Sequence, residues 1–484
     1  MNQKKYNIKS VFTIAKSNGN NLKSIRIFTN YDVIISTLDA KKVMAKFIQN
    51  LIDEIIDQYM FADETKRPWI IGFSGGKDST VMLQLVWQAL KQVKDFHGVV
   101  GRDIYVVCND TMVENPVITE YVYRVLAKIE QAAVDQDLPI RVIKTIPRLE
   151  DSFWVNLIGK GYPAPNNAFR WCTERLKIKP TSRFIKEQIN EFGEAIILIG
   201  TRSSESANRA KSMKKHAIKG KRLTKHPNQP NTYMYAPIRS LSLEEVWYII
   251  NTMESPWGAD NAELFQIYSD ASADDYECPT VVTNKEHKSC GQSRFGCWVC
   301  TVVKEDKSMS ALIENGLTWL TPLLKFRNEL VANRNILEHR MPERRNGAAA
   351  VNGMGPYYPW YRAEVLEKLF EAEKKIQKEK PHIELITKQE LIAIQTIWYR
   401  DSVFNQKVSE IYHKAHKLDL DMKDQNEKHE KELELLKKSC EKNPTDFDLI
   451  QELLTLQKNK SLLNKKRGLK EDIENRIEAY IKKQ

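Results

Sequence analysis

The hexapeptide Ser74-Gly75-Gly76-Lys77-Asp78-Ser79 follows the apolar run PWIIGF and precedes a helical pattern. A strand, a tight turn and a helix start in this order aim backbone N–H groups and a positive dipole end at an anion. Gly75 and Gly76 permit close approach and positive φ. Ser74 and Ser79 supply hydroxyls and Lys77 a cation. Asp78 is unusual beside an anion and reads as a helix cap or as a Mg²⁺ ligand. The Walker A spacing, G-x-x-x-x-G-K-S/T, is absent. The bland alternative is a plain capped turn, which the complete hexapeptide behind an apolar strand disfavours.

The second constellation is cysteine. Four of the seven cysteines, Cys278, Cys290, Cys297 and Cys300, form C-x11-C-x6-C-x2-C. The last three lie in SCGQSRFGCWVC, where Gly291 and Gly296 loosen the backbone and Phe295 and Trp298 exclude water. Four thiolates hold zinc or an iron–sulfur cluster, and spacing alone does not separate the two. Cys172 stands apart, between Trp171 and Thr173, among Arg170, Arg175 and Lys177. Neighbouring cations favour its thiolate, so it reads equally as a persulfide carrier or as a small apolar side chain. Cys108 falls inside a strand and reads as core.

Strands and helices alternate around these residues. WIIGF, IYVVCN (104–109), IRVIKTI (140–146) and AIILIGT (195–201) read as strands; 78–93, 116–135, 181–191 and 243–253 read as helices. Short continuous apolar strands between helices predict an α/β fold with a parallel sheet flanked by helices. Ligands of such sheets bind beyond the carboxyl ends of the strands. SGGKDS, NDT (109–111) and TRSSES (201–206) all fall there and are expected to converge. An N-terminal segment with an amphipathic helix (Val43, Phe47, Leu51, Ile55, Met60) spans 1–60. The sheet domain spans 61–260, a cysteine-rich module 261–305, a mixed helical domain 306–404 and a charged helical hairpin 405–484, turning near Asn443-Pro444.

Composition narrows the class. Lys+Arg 74 against Asp+Glu 63 gives +11, compatible with a polyanionic partner. There is no apolar run long enough to span a bilayer and no signal-peptide core, so a cytoplasmic protein without membrane contact is expected. Seven cysteines in so long a chain do not read as a disulfide framework.

SGGKDS resembles the PP-loop of the ATP pyrophosphatases, which implies ATP cleaved between its α- and β-phosphates. FRWCTERLKIKP (169–180), LIGTRSSESANRAK (198–211) and APIRSLSLEEVW (236–247) are similar to the phosphoadenylyl-sulfate reductase branch. That resemblance implies phosphate-facing roles for Arg170, Lys177, Arg202 and Arg209. With CGQSRFGCWVC added, residues 65–400 resemble the DndC family, the PP-loop component of bacterial DNA phosphorothioation systems. The resemblance implies a sulfurtransferase with ATP, Mg²⁺ and a 4Fe–4S cluster on the four cysteines, zinc being the alternative. Its implied partners are DNA, a cysteine desulfurase, an ATPase and a small DNA-binding protein. Ser74, Lys77, Asp78 and Cys172 are the expected catalytic residues.

Residues 211–225 carry seven Lys/Arg and no acid, the composition of a nucleic-acid contact or of a solvated loop. EHRMPERRNG (338–347) is a further basic stretch. Tyr357, Tyr358, Trp360 and Tyr361 read as base-stacking residues or, with more weight, as core. The leucine-bearing hairpin reads as a dimerising element or as packing on its own domain. Three rival functions stand beside DNA sulfuration: a PP-loop tRNA thiolase, a phosphoadenylyl-sulfate reductase-like enzyme, and a non-catalytic DNA-binding scaffold with ATP as ligand.

Overall fold

The computed structural model describes residues 37–61, 67–98, 100–205, 221–270, 296–345, 348–401 and 406–420, with parts of 431–454 and 469–481 and isolated residues elsewhere. Cys278, Cys290 and Arg209 lie outside the described residues.

A two-stranded antiparallel pair, β1 (Ser10–Val11) and β2 (Phe28–Thr29), precedes helix α1 (Thr37–Met60). The α1 stripe is buried at Leu51 and Ile55, while Val43 is exposed because only the C-terminal half of the helix lies on the core. The main sheet has six strands in the order β5-β4-β3-β6-β8-β7. They are β3 (Trp69–Gly72), β4 (Ile104–Asn109), β5 (Ile140–Thr145), β6 (Ala195–Leu198), β7 (Thr224–Lys225) and β8 (Thr232–Tyr235). All neighbours pair in parallel except β7 with β8. Thr-Tyr-Met-Tyr at β8 was not expected as a strand. Its two tyrosines alternating with Thr232 and Met234 were the available signal.

Successive side chains point to opposite faces of a strand, and the core divides accordingly. Trp69, Ile71 and Phe73 join one apolar cluster, with residues of α1, α2 (Lys77–His97) and α3 (Pro116–Asp135). Ile70 faces the other way, with Tyr105, Val107, Ile197 and Ile185 of α4 (Lys179–Phe192). Central strands buried on both faces are continuous apolar runs for this reason. Helix α3 spans the 116–135 expected from the sequence; Pro116 occupies its first turn and Asn115 caps it. Helix α5 (Leu243–Thr252) opens with a reciprocal Ser242–Glu245 capping box and is followed by α6 (Asn261–Asp270).

Helices α7 (Lys307–Glu314), α8 (Thr321–Asn333), α9 (Pro359–Gln377), α10 (Lys388–Arg400) and α11 (Val408–His416) extend the same apolar cluster. They are keyed to the turn at 154–161. Trp398 Nε1 donates to Ile158 O (3.0 Å), Trp154 Nε1 to Leu385 O (2.7 Å), and buried Arg362 to Gly159 O (2.7 Å). Tyr357 and Tyr361 are core, and Trp360 is 45% exposed. Arg340 is also structural: it is buried and donates to the carbonyls of Gly355, Arg334 and Met354. The described residues on either side of Asn443 are helical (433–439 and 446–451), followed by α12 (Leu469–Ile481). Among the described residues, no helix is long and apolar enough to cross a membrane.

Candidate functional site

Strand β3 sits between β4 and β6, and the chain order reverses there. Both neighbours run parallel to it, so the loops after β3, β4 and β6 emerge at one edge, beside the switch point where doubly wound sheets take their ligands.

The loop after β3 holds itself together. Gly75 has φ +74°, and a Cβ there would stand 2.4 Å from Val122 Cγ2, so the turn needs glycine twice over. Ser79 Oγ donates to Gly76 O (2.9 Å), receives Ser74 N–H (3.3 Å) and lies 3.2 Å from Ser74 Oγ. Gly76 is not in the positive-φ region expected of it. At φ −83° it is the N-cap of α2, with no side chain capping the helix. Asp78 therefore does not cap. Its Oδ1 accepts from Arg202 Nε at 2.6 Å, and its Oδ2 lies 3.4 Å from Lys77 Nζ.

That ion pair ties the β3 loop to the β6 loop. Gly200 makes the approach feasible: a Cβ there would lie 3.0 Å from the Asp78 carbonyl group. Arg202 is 3% exposed, and its guanidinium also reaches Ser204 Oγ (3.1 Å) and Glu205 (3.8 Å). Tyr268 of α6 completes the wall. Its hydroxyl accepts the Lys77 N–H (3.3 Å), and the Lys77 ammonium lies 5.2 Å from the ring centre. Sequence reasoning missed Tyr268, which lies 191 residues beyond Lys77 with no motif around it.

The site retains unsatisfied donors. Among the described residues, the hydroxyls of Thr80 in the first turn of α2 and Thr201 after β6 are buried without a partner; elsewhere, so are Nε and Nη2 of Arg170, a residue 8% exposed. Buried donors without acceptors are costly, and an uncapped helix start beside them suits a phosphate chain. The residues thus fit the phosphates of ATP. They do not fit Mg²⁺ on Asp78, whose two oxygens already face cations.

The cysteine turn docks one strand over. Asn115 N–H donates to Gly296 O (3.3 Å) and Trp298 N–H to Val113 O (2.9 Å), stitching 296–298 against the segment that leaves β4. Cys300 N–H donates to Cys297 O (3.0 Å), so the C-x2-C pair forms one tight turn. Cys297 Sγ is 3.4 Å from Thr111 Oγ1 and 3.8 Å from Glu114 Oε1. Burial pushes the Cys297 thiol well above its ordinary range, and the Glu114 carboxylate adds to this while Lys177 opposes it. Lys177 lies 3.9 Å from Glu114. Thr111 belongs to the NDT loop expected at this edge, whereas Glu114 was missed; the role of both beside the thiol exists only once Cys297 is there. Two thiols on one turn, under buried Trp298, fit two corners of a four-cysteine metal site. Cys172 is half-buried, immediately before the π-helical segment Thr173–Ile178, and packs on the main core.

Of the basic stretches, Arg222 is committed to α1, pairing with Asp57 and with Glu54 (3.7 Å). Arg345 pairs with Asp401 (2.7 Å).

Residues 68–303 match the family model described as "Phosphoadenosine phosphosulfate reductase domain". This part of the chain, just under half of it, is similar to that reductase domain. An uncharacterized protein of Methanocaldococcus jannaschii, MJ0066, is 29% identical over 220 residues, covering 44% of this chain and 37% of its own length. The chain thus spans little more than a third of that relative. Among solved structures, the phosphoadenylyl-sulfate reductase of Candida auris is similar at 12% identity and TM-score 0.29, covering 52% of this chain and 99% of its own. The U34-tRNA thiolase NcsA of Methanococcus maripaludis, with its 4Fe–4S cluster, is similar at 14% identity and TM-score 0.27, covering 48% and 74%. Likenesses at this level fix neither activity nor substrate.

Proposed function

We propose that this chain is the ATP-dependent sulfurtransferase of a DNA phosphorothioation system. A non-bridging oxygen of a DNA phosphate attacks the α-phosphorus of ATP. The bond to the β-phosphate oxygen breaks and pyrophosphate leaves. The DNA phosphate, now joined to AMP, carries a good leaving group. A persulfide sulfur attacks the DNA phosphorus, AMP departs with the former oxygen, and a thiol cleaves the remaining S–S bond to leave sulfur on the DNA.

The observation that supports this best is the meeting of two chemistries on adjacent strands. The PP-loop, pinned by Asp78–Arg202, follows β3, and the Cys297–Cys300 turn is hydrogen-bonded to the segment that follows β4. Ser74, Lys77 and the loop amides are suited to stabilise charge on departing pyrophosphate. Arg170, with its buried unpaired nitrogens, is suited to a substrate phosphate. Cys297 and Cys300 would hold a 4Fe–4S cluster together with Cys278 and Cys290; such a cluster, when bound, supplies a metal centre able to bind sulfur. Cys172 is the candidate sulfur carrier within the chain, loaded by a cysteine desulfurase. An ATPase and a small DNA-binding protein complete the proposed system in the cytoplasm, and the C-terminal helices are its proposed dimer contact.

The test is mass spectrometry of nuclease-digested DNA from cells expressing the whole system. Wild type is compared with Ser74→Ala, Asp78→Ala and Cys297→Ser, each checked for expression. Ser74→Ala is included because Asp78 sits in a buried ion pair. Phosphorothioate dinucleotides are expected with wild type and lost in the variants. Their absence with wild type, with sulfur appearing instead in tRNA nucleosides, would replace the DNA reading by a thiolase. Undiminished product from the Ser74 and Asp78 variants would leave only a nucleotide-liganded scaffold.

A further inference from the structure

A second concavity lies away from the PP-loop, along α4. It encloses about 460 Å³ between the start of α4, the turn after β5 and the β7–β8 loop. Pockets for small organic ligands are lined mostly by apolar side chains. Here only Ile178 and Ile185 of the thirteen lining residues are apolar. Four are firmly cationic, Arg148, Lys179, Arg183 and Lys186, against two carboxylates, Asp151 and Glu174.

The balance is more positive than that count. Asp151 is already engaged by Arg175 (2.5 Å) and Lys179 (3.5 Å). The side chains of Arg148, Arg183 and Lys186 make no hydrogen bond or ion pair among the described residues. Lys179, Ser182, Arg183 and Lys186 recur at helical spacing on one face of α4, while Thr181 and Ile185, which also line the groove, are buried. At about 1.5 Å per residue the row runs roughly 10 Å, about three 3.4 Å steps of one DNA strand. Gln229, 7% exposed, also lines the groove. His226 Nδ1 accepts the N–H groups of Asn228 (3.2 Å) and Gln229 (3.1 Å), which leaves its proton on Nε2 as a donor.

We propose that this groove is a track for the phosphodiester backbone of the nucleic-acid substrate. The inference rests on the reading above that the substrate is a nucleic acid. The groove is connected to the reacting site through one continuous helical stretch: Lys177 faces Glu114 and the Cys297 turn, and α4 begins two residues later. Phosphates held along α4 would lead a strand toward the cysteines without reading its sequence.

The test is Arg183→Gln/Lys186→Gln in the full chain, with a labelled 30-base-pair DNA duplex and a tRNA as probes. Binding is followed by fluorescence anisotropy across a salt series. Losing two phosphate contacts should reduce the slope of log K against log salt by about 1.8. If the two lines meet near 1 M salt, duplex affinity at 0.1 M falls by roughly 60-fold. Melting temperature and affinity for an ATP analogue should match wild type. An unchanged slope and affinity in a variant that melts normally would overturn the groove while leaving the sulfurtransferase reading intact. The same slope change with tRNA and none with duplex would overturn DNA as the source of the backbone. A wild-type chain that binds neither probe would remove both readings.

Discussion

The Asp78–Arg202 pair offers the sharpest test of how the site is built. Both residues are buried, at 5% and 3% exposure, and their charged hydrogen bond is 2.6 Å. Removing one member of a buried pair commonly costs about 3–5 kcal/mol, because the other charge is stranded. Here each survivor retains a second partner: Lys77 lies 3.4 Å from Asp78, and Glu205 lies 3.8 Å from Arg202. The expected cost is therefore lower, about 2–3 kcal/mol for Asp78→Asn or Arg202→Gln alone. The double variant removes both charges of the pair and should be more stable than the sum of the single effects implies, by about 1.5–2 kcal/mol. Urea unfolding of the four proteins measures this coupling, and ATP–pyrophosphate exchange is followed in parallel. Exchange should stay low in the double variant, since the loops lose their tie even where stability returns. Additivity within about 0.5 kcal/mol would refute the pairing. Wild-type stability with lost exchange in Arg202→Gln would instead make Arg202 a direct phosphate ligand.

Two further outcomes are expected. Gly75→Ala adds a methyl 2.4 Å from Val122 Cγ2 at φ +74°, so it should destabilise by about 2–4 kcal/mol and weaken ATP-analogue binding. In a Val122→Ala background the penalty should fall to about 1 kcal/mol, the backbone strain alone; an unchanged penalty would sink the steric account. Burial pushes the Glu373 carboxyl up to about 7, with the Glu384 charge adding and the Leu385 and Ile386 N–H groups opposing. A raised carboxyl binds its proton more tightly in the folded state, so its stabilising contribution is full below about pH 4.5 and is lost as pH rises through 7. Wild type should therefore lose up to about 3 kcal/mol relative to Glu373→Gln between pH 4.5 and 8. Parallel urea stability curves for the two proteins over that range would exclude it.

What the sequence determined by itself was local. Apolar runs and their breaks marked β3, β4 and β6, because strands buried on both faces have few polar positions; β5, at the sheet edge, was legible from its apolar residues although Arg141 and Lys144 are exposed. Pro116 marked the start of α3. The SGGKDS turn read as an anion site, because two glycines and a lysine follow a strand and open a helix, which aims free N–H groups at one point. What the tertiary structure decided was partnership. Asp78 could be read as a cap or a metal ligand until Arg202, 124 positions away, arrived to neutralise it. Glu114 carries no motif, and Thr111 was legible only as part of the NDT loop; both gain their role beside Cys297, more than 180 residues on. Arg222 and Arg340 looked like members of nucleic-acid surfaces, yet one serves α1 and the other caps buried carbonyls. Charge in a sequence is visible, but whether it faces water, a carboxylate or a phosphate depends on which distant segments the sheet brings to the same edge. The cationic row on α4 became a groove only when the turn after β5 and the β7–β8 loop closed its sides.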